Sequence, residues 1–188
     1  MARRKASAQV PLTAERLEQA ALFYLQSYAN SAEGLARVLR RRLLRAGREG
    51  LAVATPDDVT AIVAKLVRLG LVNDGLFAEG RANRLARQGR SQRSIAQRLS
   101  AAGLGDAEVS RGLAVAGTEP ADEMARAIAY ARRRRLGPYR PAAKRSDKRL
   151  ADMAALARQG FAYDLVRQVV DAADEAALTA LITAAQER

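Results

Sequence analysis

The side chains of this sequence that could do chemistry are mostly arginines, and they are gathered rather than spread. Arg37, Arg41 and Arg45 recur every four residues, a spacing that sets them in one row along a helix face, with Arg40, Arg42 and Arg48 flanking. Arg81, Arg84 and Arg87 share a second helix, and Arg93 and Arg98 continue the charge onto the next. The densest cluster runs Arg132, Arg133, Arg134 and Arg135, then Arg140, Lys144, Arg145, Lys148 and Arg149 around a Pro-containing turn. Like charges at helical spacing repel by roughly a few tenths of a kcal/mol per pair, a cost that a bound polyanion offsets. The planar guanidinium fork engages phosphate or carboxylate at two points, so these clusters suit nucleic acid or an acidic protein. A merely solubilising basic surface is the bland alternative, and four consecutive arginines cannot all share one helix face.

Other chemistry is largely excluded. The chain has no His and no Cys, which removes disulfides, thiol nucleophiles, Ser-His-Asp triads, histidine-ligated haem and Cys/His zinc sites. The acidic pairs Asp57-Asp58, Asp122-Glu123 and Asp174-Glu175 sit at expected helix starts, where acids complement the helix dipole. Gly47-Arg48-Glu49-Gly50 fits neither a Walker nor a dinucleotide loop. Tyr28, Tyr130, Tyr139 and Tyr163 are too scattered for a base-stacking platform, and Tyr24 and Tyr28 are expected in the core. No catalytic residue, metal or cofactor is therefore expected.

Composition gives the setting. Thirty-two Lys and Arg against 20 Asp and Glu leave a net charge of +12 on 188 residues. Residues 150–188 carry −3, so residues 1–149 carry +15, a field that attracts polyanions. Nothing approaches the roughly 20 apolar residues a membrane span needs, and Met1–Val10 lacks an apolar signal region. A cytoplasmic monomer without membrane contact is expected.

The elements that must position the arginines read as helices, so the fold class is all-α. Leu17, Ala21, Tyr24 and Tyr28 form one stripe; Leu35, Val38, Leu39 and Leu43 form the next behind a cap at Ser31. Thr55-Pro56-Asp57-Asp58 starts a third, with Val59, Ile62, Val63 and Leu66 inward. Phe77, Ala78, Ala82 and Leu85 then precede short helices capped by Ser91, carrying Ile95 and Leu99, and by Asp106, carrying Val109 and Leu113. A third set starts at Glu119-Pro120 with Met124, Ile128 and Ala131, followed by Leu150, Met153 and Ala157, then Leu165, Val166, Val169 and Val170. Leu-x-x-x-Gly endings at Leu43, Leu99 and Leu156 recur after 56 and 57 residues, which suggests serial repeats. The expected organisation is a disordered basic segment over 1–12, three-helix repeats over 13–72, 73–117 and 118–174, and a helix or tail over 175–188. Residues 91–113 also read as a helix-turn-helix, leaving an independent nucleoid or transcription-factor type of DNA-binding protein as the alternative, although no Asn/Gln-rich base-reading face stands out.

Four ordered motifs resemble the RecX family. Ala21-Leu22-Phe23-Tyr24-Leu25 with Ser31-Ala32-Glu33-Gly34-Leu35 looks like its opening helices. Leu69 to Ala78, reading LGLVNDGLFA, is similar to its Gly-hydrophobic-Leu-Asp-Asp-x-x-Phe-Ala segment; Gly89-Arg90-Ser91 with Ile95, Leu99 and Gly103-Leu104 is similar to the segment after it. Arg158-Gln159-Gly160-Phe161-Ala162-Tyr163-Asp164 resembles its closing motif. The likeness spans residues 15–172. It departs at Tyr28-Ala29-Asn30, at Asn73 in place of the first acid, and in an enlarged loop before Thr55. The resemblance implies an elongated, curved array of three-helix repeats that binds the RecA recombinase filament on single-stranded DNA, modulates and most of all inhibits it, and can bind single- or double-stranded DNA itself.

Overall fold

Hydroxyl caps set where several helices of this chain begin. In the computed structural model, which describes residues 10–187, the side chains of Thr13, Ser31, Thr55 and Ser91 each accept a hydrogen bond from the backbone N–H three residues on. They open α1 (Ala14–Ser27), α2 (Ala32–Arg48), α3 (Pro56–Arg68) and α5 (Gln92–Ser100). Thr55 forms a complete capping box, since Asp58 accepts from the Thr55 N–H at 2.7 Å. The other helices are α4 (Asp74–Arg87), α6 (Asp106–Ala116), α7 (Pro120–Arg134), α8 (Arg145–Ala157), α9 (Tyr163–Asp171) and α10 (Glu175–Gln186). Asp106, expected as a cap, is instead the first residue of α6, and Gly105 holds the cap position. The described residues are thus all-helical, apart from one isolated bridge between Leu12 and Ala52.

The chain divides into two units, residues 1–77 and 78–188, with the boundary inside α4 rather than at a loop. In the first unit, i,i+3 and i,i+4 spacing puts Leu17 and Ala21 of α1, Leu35, Leu39 and Leu43 of α2, and Val59, Ile62 and Leu66 of α3 into one core. Met1–Gln9, most of the segment expected to be disordered, lie outside the described residues. Its last residue is not a tail: the Leu12 N–H donates to the Leu51 carbonyl at 2.8 Å, and Leu12's own carbonyl accepts from Ala54 N–H at 2.9 Å. Tyr28 corrects another expectation. It is the residue at which α1 ends, its backbone turns extended, and its ring stacks on Tyr24 at 5.2 Å while staying 61% exposed.

In the second unit, α5 and α6 pack together, and Gly112 leaves no room there for a side chain. A Cβ there would stand 2.9 Å from Leu99 Cδ1 and 3.0 Å from the Ala78 carbonyl. Met124, Ala127 and Ala131 of α7 share the larger core with Met153, Leu156, Phe161, Val166, Val169 and Val170. Residues 175–186, left open in the sequence between helix and tail, form α10. Asp174 caps it by accepting from Ala177 N–H at 2.9 Å, and Leu178 is buried against α7. Leu150, placed on the inward stripe of its helix, is 75% exposed; Met153 and Leu156 carry that face instead.

The N-termini of α2 and α5 are built alike. Ser31 and Ser91 are both fully buried, and in both helices a carboxylate from farther along the chain takes the first free N–H. Ala32 N–H donates to Asp74 at 2.8 Å, and Gln92 N–H to the two oxygens of Glu123 at 3.0 and 3.2 Å. Glu123 also accepts from Arg126 at 2.5 Å, and Arg126 donates onward to the carbonyls of Ala116 and Gly117, closing the end of α6. We expect Glu123→Ala to cost about 3 kcal/mol in urea unfolding, because it strands a buried guanidinium and a helix N–H. Glu123→Gln keeps an acceptor for Gln92 and should lose clearly less; equal losses would mean that the helix-end bond contributes nothing.

Candidate polyanion-binding surfaces

Whether an arginine can meet a partner depends on what its fork already holds. On α2 the row Arg37, Arg41 and Arg45 is exposed, as spacing of four requires. Its ends are tied to acids of the same helix or the turn after it: Arg37 lies 3.8 Å from Glu33, which Arg40 also contacts at 3.0 Å, and Arg45 lies 3.4 Å from Glu49. These are solvent-exposed pairs that hold little. Arg41 and Arg42 have no carboxylate within 4 Å among the described residues. They border an open groove of about 680 Å³ between α2, the chain at Val10 and Leu12, and Leu51.

In the second unit α4 and α5 bring Arg81, Arg84 and Arg98 together. Burial lowers the Arg81 guanidinium below its ordinary value, and the positive charges of Arg84 and Arg98 lower it further. That response marks a place where cations from two helices crowd one another. Arg87 and Arg93 are exposed, and Arg93 borders a concavity of about 310 Å³ opposite Arg158. Sequence reasoning left Arg158 out of the basic clusters, because it lies in the acidic C-terminal stretch; its signal was the Arg-Gln-Gly-Phe motif that it opens.

The third cluster is different. Its arginines are spent largely on the fold. Arg133 donates to the carbonyls of Arg87 (2.8 Å) and Gln88, the two residues that end α4 and follow it. Arg145 donates to the carbonyls of Pro138 (2.6 Å), Ala173 (2.7 Å) and Arg140 (3.0 Å), pinning the Pro-containing turn. Arg140 forks onto the buried Asp152 at 2.6 and 3.0 Å, and Asp152 also accepts from Gly137 N–H at 2.9 Å. Arg149 grips Asp171 with two bonds of 2.7 Å. Arg132, Arg134 and Lys148 remain exposed. The run from Arg132 to Arg134 also has a local use, since it stands in the last turn of α7, where cations complement the dipole. Arg126, outside every cluster in the sequence, is the most buried guanidinium and purely internal.

No group of metal-ligating side chains exists among the described residues, and none of their helices is long and apolar enough to cross a membrane. The helix-turn-helix reading meets a physical obstacle: α6, which would enter the groove, carries Asp106 and Glu108 in its first turn. Those charges repel the phosphates that a recognition helix must approach.

The Arg149–Asp171 pair gives a pH signature. The hydrogen bond from Arg149, then the charges of Arg149 and Arg167, hold the Asp171 carboxyl below the usual carboxylate range despite some burial. A carboxylate depressed in the folded state stabilises above its unfolded value, near pH 4, and that contribution is lost as pH falls through the folded value. Asp171→Asn should therefore lower Tm slightly at neutral pH, and the gap from the parent protein should close as pH falls below about 4. A gap that widens in acid would show that the pair does not titrate as described.

Comparison with known proteins identifies relatives along most of the chain. Regulatory protein RecX of Myxococcus xanthus is 44% identical over 161 residues, covering 82% of this chain and 84% of that protein. Regulatory protein RecX of Halorhodospira halophila is 34% identical over 139 residues, covering 74% and 79%. The crystal structure of RecX from Lactobacillus salivarius superposes with a TM-score of 0.60 at 19% identity, covering 85% of this chain and 96% of that one, which supports the helical fold. No family model matches the chain.

Proposed function

This chain belongs to the RecX family of regulatory proteins, and on that premise we propose that it binds the RecA recombinase filament on single-stranded DNA and restrains filament growth and ATP turnover. The observation that carries this reading is the gathering of Arg81, Arg84 and Arg98 on α4 and α5. Arg84 and Arg98 stand exposed beside Arg81 on these two helices, and a row of phosphates neutralises positive charges that otherwise lie close together. Their forks bind phosphate oxygens at two points each and read no base, which suits a partner that coats DNA of any sequence. Arg87 and Arg93, exposed on the same two helices, extend the contact along the backbone.

The action is non-catalytic. A protein seated on the filament by such contacts occupies space that an incoming protomer needs, and holding protomers in one state suppresses their turnover. It acts as a monomer, one copy capping many protomers, so inhibition appears at substoichiometric amounts. Binding to single- or double-stranded DNA alone follows from the same phosphate contacts and is weaker, because no aromatic platform adds stacking.

Two measurements test this. Each engaged phosphate contributes roughly −0.7 to the log–log salt slope of single-strand binding, so Arg84→Glu with Arg98→Glu should flatten that slope by about 1.4 and weaken binding at low salt. Both side chains are exposed, so helicity should be unchanged. In a recombinase ATPase assay on single-stranded DNA, the parent protein should inhibit well below one copy per protomer and the double variant should not. Inhibition only when the protein saturates the DNA would overturn the recombinase reading in favour of an independent DNA-binding protein.

A further inference from the structure

The groove of the first unit differs from the α4–α5 cluster in what lies between its charges. One wall is the face of α2 that carries Arg41, Arg42 and Arg45. Between and beside these charges the groove is also lined by aliphatic side chains: Val38 from α2, Leu51 from the loop after it, and Val10, which is 47% exposed. No aromatic ring lines it. The geometry points to a docking site for an acidic peptide segment of a partner protein, one that carries an aliphatic side chain among its carboxylates.

Charge and shape select that occupant. Arg41 and Arg42 face the groove without a carboxylate of their own among the described residues, while Arg45 is held at 3.4 Å by Glu49 on the rim. Two open forks a residue apart suit two separate carboxylates, each bound at two points. A continuous row of phosphates would meet the Glu49 charge, and its bases would find only aliphatic side chains where single-strand sites offer rings. The aliphatic lining gains from burying a Leu or Val side chain, which nucleic acid lacks. The chain's own N-terminal residues are a poor occupant, because Met1–Gln9 contain Arg3, Arg4 and Lys5 and no acid. The groove, about 680 Å³, is open along its length, which suits an extended segment lying on the surface. This assignment goes beyond the recombinase reading and does not rest on it.

The test uses the full chain and a fluorescein-labelled ten-residue peptide of alternating Asp and Glu with two Leu residues, followed by anisotropy. Its twin has Ser at both Leu positions, and a labelled oligothymidylate serves as the nucleic-acid probe. The parent protein should bind the Leu peptide several-fold more tightly than the twin. Arg41→Glu with Arg42→Glu should weaken the Leu peptide about tenfold or more, with unchanged helicity and with oligothymidylate binding retained within about twofold. Val10→Ser, a change at an exposed position that spares every charge, should erase the preference for Leu over Ser. Arg84→Glu with Arg98→Glu should leave peptide binding unchanged. Equal affinity for the two peptides, peptide binding untouched by the Arg41 and Arg42 changes, or oligothymidylate binding that falls with them as far as the peptide does, would overturn the assignment. The last of these would make the groove part of a nucleic-acid path. Failure of the α4–α5 variant to lose DNA binding bears on the recombinase reading alone.

Discussion

A buried helix N-terminus must find acceptors for its free N–H groups inside the protein, and this chain meets that demand in the same manner twice. Ser31 and Ser91 supply the local acceptor, and Asp74 and Glu123 supply a second one from 42 and 31 residues away. The carboxylate does two jobs. It satisfies the N–H and places a negative charge at the positive end of the dipole. Because that carboxylate belongs to a later helix, the bond fixes where the later helix sits. At α5 the arrangement extends further: Glu123 carries Arg126, and Arg126 closes the last turn of α6, so three helix ends share one polar network with little exposure to water. Gly160 completes that site. A Cβ on it would lie 2.4 Å from the Ser91 hydroxyl, and its φ of 93° is one that glycine adopts freely.

The same guanidinium chemistry serves two ends in this protein. A fork pointed at carbonyls or a fixed carboxylate becomes a structural clamp, as in Arg126, Arg133, Arg140, Arg145 and Arg149. A fork on a helix face with nothing opposite stays available to a partner. The clamps explain how a chain of such high positive charge holds together, since five of its cations neutralise helix C-termini, turns or acids. They also explain why the densest basic cluster, which looks most like a nucleic-acid site on paper, has four of its forks, those of Arg133, Arg140, Arg145 and Arg149, already engaged within the protein.

What remains outside divides by chemistry. In the second unit, guanidinium groups from two helices lie close to one another, an arrangement that favours a linear polyanion. In the first, two of them border an aliphatic groove, an arrangement that favours discrete carboxylates with something apolar between. The two surfaces thus differ in the kind of anionic partner each would suit. Neither needs an ordered active site, in keeping with the chain's lack of His and Cys.

Much was written locally. The hydroxyl caps at Ser31, Thr55 and Ser91, the stripes of Leu and Val at helical spacing, the glycine stops and the exposed row on α2 all depend on residues within a turn or two of one another, so the amino-acid order by itself determined them. The all-α fold followed from those, and the family resemblance from four short motifs in order along the chain. Other features depend on partners far along the chain. The fork of Arg133 is engaged because a carbonyl 45 residues earlier stands beside it, and that of Arg145 because a carbonyl 28 residues later does. Tyr28 leaves the core because α1 ends there, and Arg126 enters it because α6 ends beside α7. Only the tertiary structure decided these, since a guanidinium can donate to carbonyls as well as to carboxylates and phosphates, and spacing along one helix says nothing about which oxygen another helix will bring.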